Sequence, residues 1–238
     1  MEVAVLLVGS FIAALVSGAA GFGGSLLLLP VVTACLGAEQ AVPVLTIAQL
    51  MGNMSRMISG WKLIDWKSVG IFSLTSLPLA ALGAFGFAVL PKDLVSRLVG
   101  LGLMTLVVVK AASKKELPKG NATLLVGGAV TGGISGLFGC GGPIGAAVFL
   151  SLDLAPLAYI ASEAATATAM HFLKAIIYNK LIALPPRALL LGFGMGLCMV
   201  AGTYCARYLI RNMEKGKLQR YVAILLFVVG AYMLIAGE

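Results

Sequence analysis

Charge along this chain comes in clusters separated by long apolar runs. No charged residue falls between Lys67 and Lys92, between Arg187 and Arg207, or between Arg220 and Glu238. Within the runs the apolar positions are continuous and lack the period-two alternation of a half-buried strand, so they predict helices. Eight segments emerge, near residues 3–37, 41–60, 69–90, 93–111, 121–152, 155–178, 187–209 and 220–236. Polar residues punctuate them, as at Lys62–Lys67, Lys114–Asn121 and Arg211–Gln219. Runs of about 20 apolar residues suit a hydrocarbon core about 30 Å thick, and helices close their own backbone hydrogen bonds there. The pattern predicts an all-α polytopic membrane protein. A spanning β-barrel would instead need alternating stretches of about 10 residues.

Two segments are too long for one crossing. There are 36 uncharged residues between Glu2 and Glu39, and 33 between Lys119 and Asp153. At about 1.5 Å per residue either would exceed 45 Å as a straight helix, yet two full crossings need about 40 residues plus a turn. A glycine cluster sits in the middle of each. The expectation is a broken helix or re-entrant hairpin bending at Gly21–Gly24 and at Gly139–Gly142.

The two clusters share a register. A shift of 118 positions lays Ser17-Gly18-Ala19-Ala20-Gly21-Phe22-Gly23-Gly24 on Ser135-Gly136-Leu137-Phe138-Gly139-Cys140-Gly141-Gly142, with five of eight positions identical. The same shift places Asn53 and Arg56 on His171 and Lys174, and Lys62-Leu63-Ile64 on Lys180-Leu181-Ile182. This predicts two homologous halves, a first membrane repeat over 1–112 and a second over 121–238, joined by a polar linker at 113–120. Internal repeats are common in transporter folds. An even number of passes in each opening segment would make the repeats inverted.

Composition agrees with the membrane reading. The chain is 60% hydrophobic and 11% charged, with a mean hydropathy of +1.04, where soluble domains are nearer 45–50% and about 25%. The net charge of +8 lies in residues flanking apolar segments, as in membrane proteins, so it does not point to nucleic acid. Cys35, Cys140, Cys198 and Cys205 all lie within apolar segments and read as small buried hydrophobes. No CxxC or Cys/His cluster suggests a metal, no GxxxxGK[ST] suggests a nucleotide, and no cofactor is expected. The N-terminus has Glu2 in place of a basic n-region and reads as mature protein.

The paired glycine motif is the strongest chemical signal. Glycine lets a helix unwind and a ligand approach the backbone. The helix N-termini so created favour an anion through free amides and the helix dipole. Ser17, Ser25 and Ser135 add hydroxyls, and Pro143 suits the first turn of a restarting helix. The competing reading is close helix packing through small residues. A second strip follows in each half: Thr46, Gln49, Asn53 and Arg56 share one helix face, and Glu163, Thr168, His171 and Lys174 occupy a broader arc. Arg56 and Lys174 are late enough in their segments to snorkel to the interface. Asn53 and His171 lie deeper, where an interhelical hydrogen bond competes with a ligand role, and His171 could couple transport to protons.

The doubled SGxxGxGG motif, in a chain of this length with eight apolar segments, resembles the TauE/SafE family of sulfite exporters. The matching stretches are Gly21-Phe22-Gly23-Gly24 followed by Pro30, and Gly139-Cys140-Gly141-Gly142-Pro143. Val148 stands where a second proline would match Pro30. The resemblance implies a multi-pass carrier of the bacterial or archaeal cytoplasmic membrane that exports a small, sulfur-containing oxyanion such as sulfite, thiosulfate or sulfoacetate. It is expected to work by alternating access, with the lipid bilayer, the anion and, as candidate coupling ion, the proton as its partners. The expected anion-binding set is Ser17, Gly18, Gly21, Phe22, Gly23, Gly24, Ser25, Gln49, Asn53 and Arg56 in one half. In the other it is Ser135, Gly136, Gly139, Cys140, Gly141, Gly142, Thr168, His171 and Lys174. Two alternatives compete. Gly133-Ile134-Ser135-Gly136 resembles the nucleophile motif of rhomboid intramembrane proteases, with His171 as base, although the first half has no histidine in register. A passive anion channel is the other.

Overall fold

The computed structural model describes residues 2–20, 24–91 and 117–210. The expected segments at 93–111 and 220–236, and Gly21, Phe22 and Gly23, lie outside the described residues. Helices fill nearly all the rest: α1 (Glu2–Ala20), α2 (Ser25–Leu36), α3 (Ala38–Ser59), α4 (Trp66–Val89), α5 (Asn121–Phe138), α6 (Gly142–Leu150), α7 (Pro156–Leu181) and α8 (Pro186–Ile210). A 3₁₀ turn, Trp61–Leu63, joins α3 to α4. No strand occurs among the described residues.

Local chemistry sets the starts and stops. Asp65 caps α4, its Oδ1 accepting from the Ser68 backbone N–H at 3.4 Å and its Oδ2 from Ser68 Oγ at 2.7 Å; the first of these satisfies part of an otherwise open first turn. Proline opens α7 and α8 at Pro156 and Pro186, where its missing N–H costs nothing. Each over-long apolar segment is two helices: α1 and α2 in one case, α5 and α6 in the other. Gly139 ends α5 in the left-handed region at φ 73°, a conformation that a Cβ disfavours. Pro143 stands in the first turn of α6.

Three described helices are long and apolar enough to cross a membrane: Trp66–Val89, Asn121–Phe138 and Pro186–Ala206. Helices α3 and α7, of 22 and 26 residues, are longer than the bilayer requires but carry the polar strips. They lie against each other at the centre. Around them α1 packs on α8, α4 on α5, α3 on α8 and α4 on α7, while the short α2 and α6 reach inward and touch.

Polarity is reversed relative to a soluble protein. Lys174 is 0% exposed, and Gln49, Asn53 and Glu163 are also buried, whereas Leu190 is 75% exposed and Leu74, Leu82, Phe85 and Phe193 face outward. An apolar exterior around a polar interior is stable in hydrocarbon, where an outward ionic group is costly. Trp61 and Trp66, both half exposed, stack edge to face at 4.8 Å and suit the aromatic belt of an interface.

Small residues bring the outer helices together. On α5, Gly128, Gly132 and Gly136 recur every four positions against α4. A Cβ on Gly136 would stand 2.5 Å from the Ala80 carbonyl and 2.8 Å from the Ala84 amide. On α1, Gly18 faces Ala206 of α8, and Gly202 of α8 approaches the Phe11 carbonyl. Close backbone contact of this kind holds membrane helices by van der Waals packing.

Candidate functional site

The helix breaks and the central polar strips meet at one place. A small cavity is walled by Ser25 at the start of α2, by Gln49 and Asn53 of α3, and by Ser135, Gly139, Gly141 and Gly142 at the α5–α6 bend. Glu163, Ala167, Met170 and His171 of α7 complete it. Its free volume is about 10 Å³, about what one water needs. The site is closed around nothing larger.

Its walls hold unused hydrogen-bonding capacity. Both amide atoms of Gln49, Glu163 Oε2 and His171 Nδ1 are buried without a hydrogen-bond partner among the described residues. A buried polar group left unpaired costs about 1–3 kcal/mol, so several together in one cavity mark a place that a polar ligand or water completes. The first turns of α2 and α6 add backbone N–H groups with no intrahelical acceptor and the positive end of two helix dipoles. Gly141 permits the bend that aims α6 inward: a Cβ there would sit 2.5 Å from the Thr131 carbonyl and 2.8 Å from Ser135 Cβ.

The two buried cations do related work. Arg56 Nη1 donates to the Ser17 carbonyl at 3.2 Å, and Lys174 Nζ donates to the Ser135 carbonyl at 2.9 Å. Arg56 and Lys174, like Ser17 and Ser135, are 118 positions apart. Each cation thus neutralises a carbonyl near the negative C-terminal end of an interrupted helix. Arg56 Nη2 also donates to Asn53 Oδ1, and Lys174 Nζ bonds Ser135 Oγ at 2.9 Å. Neither cation snorkels. Both are buried, and their partners are backbone oxygens that the sequence pattern gave no means to identify.

A second, larger space adjoins the cavity. A vestibule of about 430 Å³ is lined by Gly18, Arg56, Gly60, Leu157, Thr203 and Tyr204, among others. Arg56 lines the vestibule while its partner Asn53 lines the cavity, so this pair separates the two spaces. The position 118 beyond Gly60 is Tyr178, which is buried. Its hydroxyl donates to the Gly136 carbonyl at 2.9 Å, and its ring leans on Phe87 at 5.5 Å. Gly60 lies close against Ala161 of α7, where a Cβ would stand 2.5 Å from the Ala161 Cβ.

The expected site residues therefore sort into groups. Ser25, Gln49, Asn53, Ser135, Gly139, Gly141, Gly142 and His171 line the cavity. Arg56 and Lys174 brace its edges, and Cys140 is buried in the bend itself. Ser17 offers its carbonyl to Arg56, Gly18 lines the vestibule, and Gly24 lies against Ala13 of α1. Gly136 packs on α4. Thr168 bonds the Ala164 carbonyl of its own helix at 2.7 Å and is not among the lining residues. No hydrogen bond joins Ser135 to His171: the serine hydroxyl is held by Lys174. Glu163, Ala167 and Met170 were not among the expected site residues. The signal for Glu163 was present, an acidic side chain in the middle of an apolar helix. Among the described residues no group of three or more His, Cys, Asp or Glu could hold a metal ion.

A family model described as "Sulfite exporter TauE/SafE" matches residues 6–233. No curated protein matches the chain, and no solved structure does.

Proposed function

The chain belongs to the TauE/SafE family of sulfite exporters, and on that premise we propose that it carries a small sulfur oxyanion across the membrane by alternating access through the cavity between its two halves. One observation carries the reading. Two interrupted helices restart at a shared, buried polar cavity in whose wall both amide atoms of Gln49, Glu163 Oε2 and His171 Nδ1 have no hydrogen-bond partner among the described residues. Helix starts at membrane depth favour anionic groups. The anion would lie against the first turns of α2 and α6, with Ser25, Ser135, Gln49, Asn53 and His171 as its neutral donors.

The two halves act as tandem copies in this reading. Equivalent helix ends, Ala20 and Phe138, lie 118 positions apart, and equivalent cations bind equivalent serine carbonyls. Sulfite, thiosulfate and sulfonates such as sulfoacetate all present the small oxygen cluster such a site recognises. With about 10 Å³ free, the cavity must widen to admit any of them. The vestibule marks the side from which the route is nearly open, with Arg56 and Asn53 as the remaining partition.

The test is flux into proteoliposomes of purified protein, comparing labelled sulfite, thiosulfate and sulfoacetate with sulfate and chloride. Saturable uptake of a sulfur oxyanion is expected. Conductive, non-saturating passage of chloride would instead make the protein a channel, and no uptake of any anion would end the transport reading.

A further inference from the structure

The cavity contains a group that an anion site alone does not explain. Glu163 is buried on α7, its Oε2 lacks any hydrogen-bond partner, and no salt bridge joins it to a cation among the described residues. Its Oε1 lies 3.9 Å from where a Cβ of Gly145 would stand, in the first turn of α6. The carboxyl group therefore sits in the field of a helix start, where an oxyanion would bind. The position 118 earlier is Leu45, which is buried and apolar. The start of α6 thus faces an acid, and the position in register with that acid in the first half carries none.

The charged and titratable groups around Glu163 come from several elements. Its own helix contributes Tyr159, His171 and Lys174, and α3 contributes Arg56, whose charge reaches Glu163. Helix α4 opens with Asp65, whose amide donates to Ser162 Oγ at 2.9 Å. The α5–α6 bend contributes Cys140. Helices α5 and α6 themselves carry no titratable side chain. Among the described residues, Glu163 is the one carboxylate in the cavity wall.

An ionised carboxylate and an oxyanion confined in one water-excluded cavity repel strongly. A proton on Glu163 removes that repulsion and leaves a hydroxyl able to donate to the anion. Linkage then runs both ways: proton binding favours the anion, and anion binding favours the proton by the same factor.

Resting on the transport reading above, we propose that Glu163 is the proton-carrying group of this transporter, so that anion and proton cross together in one direction. The carboxylate takes a proton on the side where the anion enters and releases it when the anion leaves.

The experiment uses reconstituted full-length protein and whichever of labelled sulfite, thiosulfate or sulfoacetate the wild type carries. Membrane potential is clamped with valinomycin in equal potassium. With the interior one pH unit more alkaline, one-to-one coupling sets an accumulation of about tenfold, since a factor of ten corresponds to about 1.4 kcal/mol. Glu163→Gln is expected to carry the anion downhill but to reach only about onefold accumulation. An internal pH dye gives a separate reading on the wild type, with about one proton expected to enter per anion. Full pH-driven accumulation by Glu163→Gln would overturn the proposal. Folded Glu163→Gln without downhill flux would make Glu163 part of anion binding and would equally refute it. Wild-type flux without proton movement would refute the coupling while leaving the transport reading intact, and absence of all flux would end both.

Discussion

Replacing Gly141 by alanine tests how the bend builds the cavity. The added Cβ would meet the Thr131 carbonyl at 2.5 Å, Ser135 Cβ at 2.8 Å and the Ser135 amide at 3.1 Å. Two of these are backbone atoms of α5, which no rotamer change can move. An ordinary carbon–oxygen contact is about 3.3–3.6 Å, so the bend and α5 must separate by about 1 Å. Overpacking of this kind costs about 1–3 kcal/mol. The first turn of α6 would also leave the tolerance of about 0.5 Å that a binding constellation needs. Losing one hydrogen bond to a charged ligand, about 1.5–3 kcal/mol, raises KM by about 10- to 150-fold. Gly133→Ala is the matched control, because nothing lies within 4 Å of its Cβ position and alanine favours the helix by about 1 kcal/mol. Thermal unfolding in detergent and flux kinetics in proteoliposomes read both effects. Gly141→Ala with the Tm and KM of the wild type would refute the reasoning.

Three further outcomes follow from particular contacts. Arg56→Met leaves the Ser17 carbonyl and Asn53 Oδ1 without their donor and is expected to lower stability by about 1–3 kcal/mol, read as Tm, with Arg56→Lys losing less. Tyr178→Phe removes the hydroxyl held by Gly136 and should cost about 0.5–1.5 kcal/mol, whereas Tyr204→Phe, on an exposed ring, should leave Tm unchanged. Leu157→Cys, introduced where Cys35, Cys140, Cys198 and Cys205 are replaced by alanine, places a thiol in the vestibule. A bulky aqueous thiol reagent should label it and reduce flux at least severalfold, and labelling with no effect on flux would remove the vestibule from the route.

Much of this architecture was written in local pattern. The uncharged runs gave the described helices within a few residues, because hydrocarbon demands length and continuity of apolar side chains. The excess length of residues 3–37 and 121–152, with glycine at their centres, pointed to interruptions, and the chain divides there into α1 with α2 and α5 with α6. Helical spacing alone placed Gln49, Asn53 and Arg56 on one face. What pattern could not give is what that face meets. Arg56 and Lys174 were compatible with snorkelling, and only the approach of Ser17 and Ser135, each 39 residues away, makes them internal braces. Gly136 was read with the ligand motif, but its four-residue spacing from Gly132 and Gly128 belongs to the seam with α4. Glu163 stood in the polar arc of its helix, and its meaning depends on Gly145 lying opposite. These are tertiary facts, set by which helices touch.

The most direct test of the central claim is to locate a bound anion. Selenite is a close stereochemical analogue of sulfite, and selenium scatters anomalously. Crystals of the protein grown with selenite would therefore show where it sits. An anomalous peak is expected within hydrogen-bonding reach of Ser25, Gln49 and the Gly141–Gly142 amides, in a cavity widened to hold it. A peak confined to the vestibule beside Arg56, or elsewhere, in a protein shown to transport selenite would contradict it.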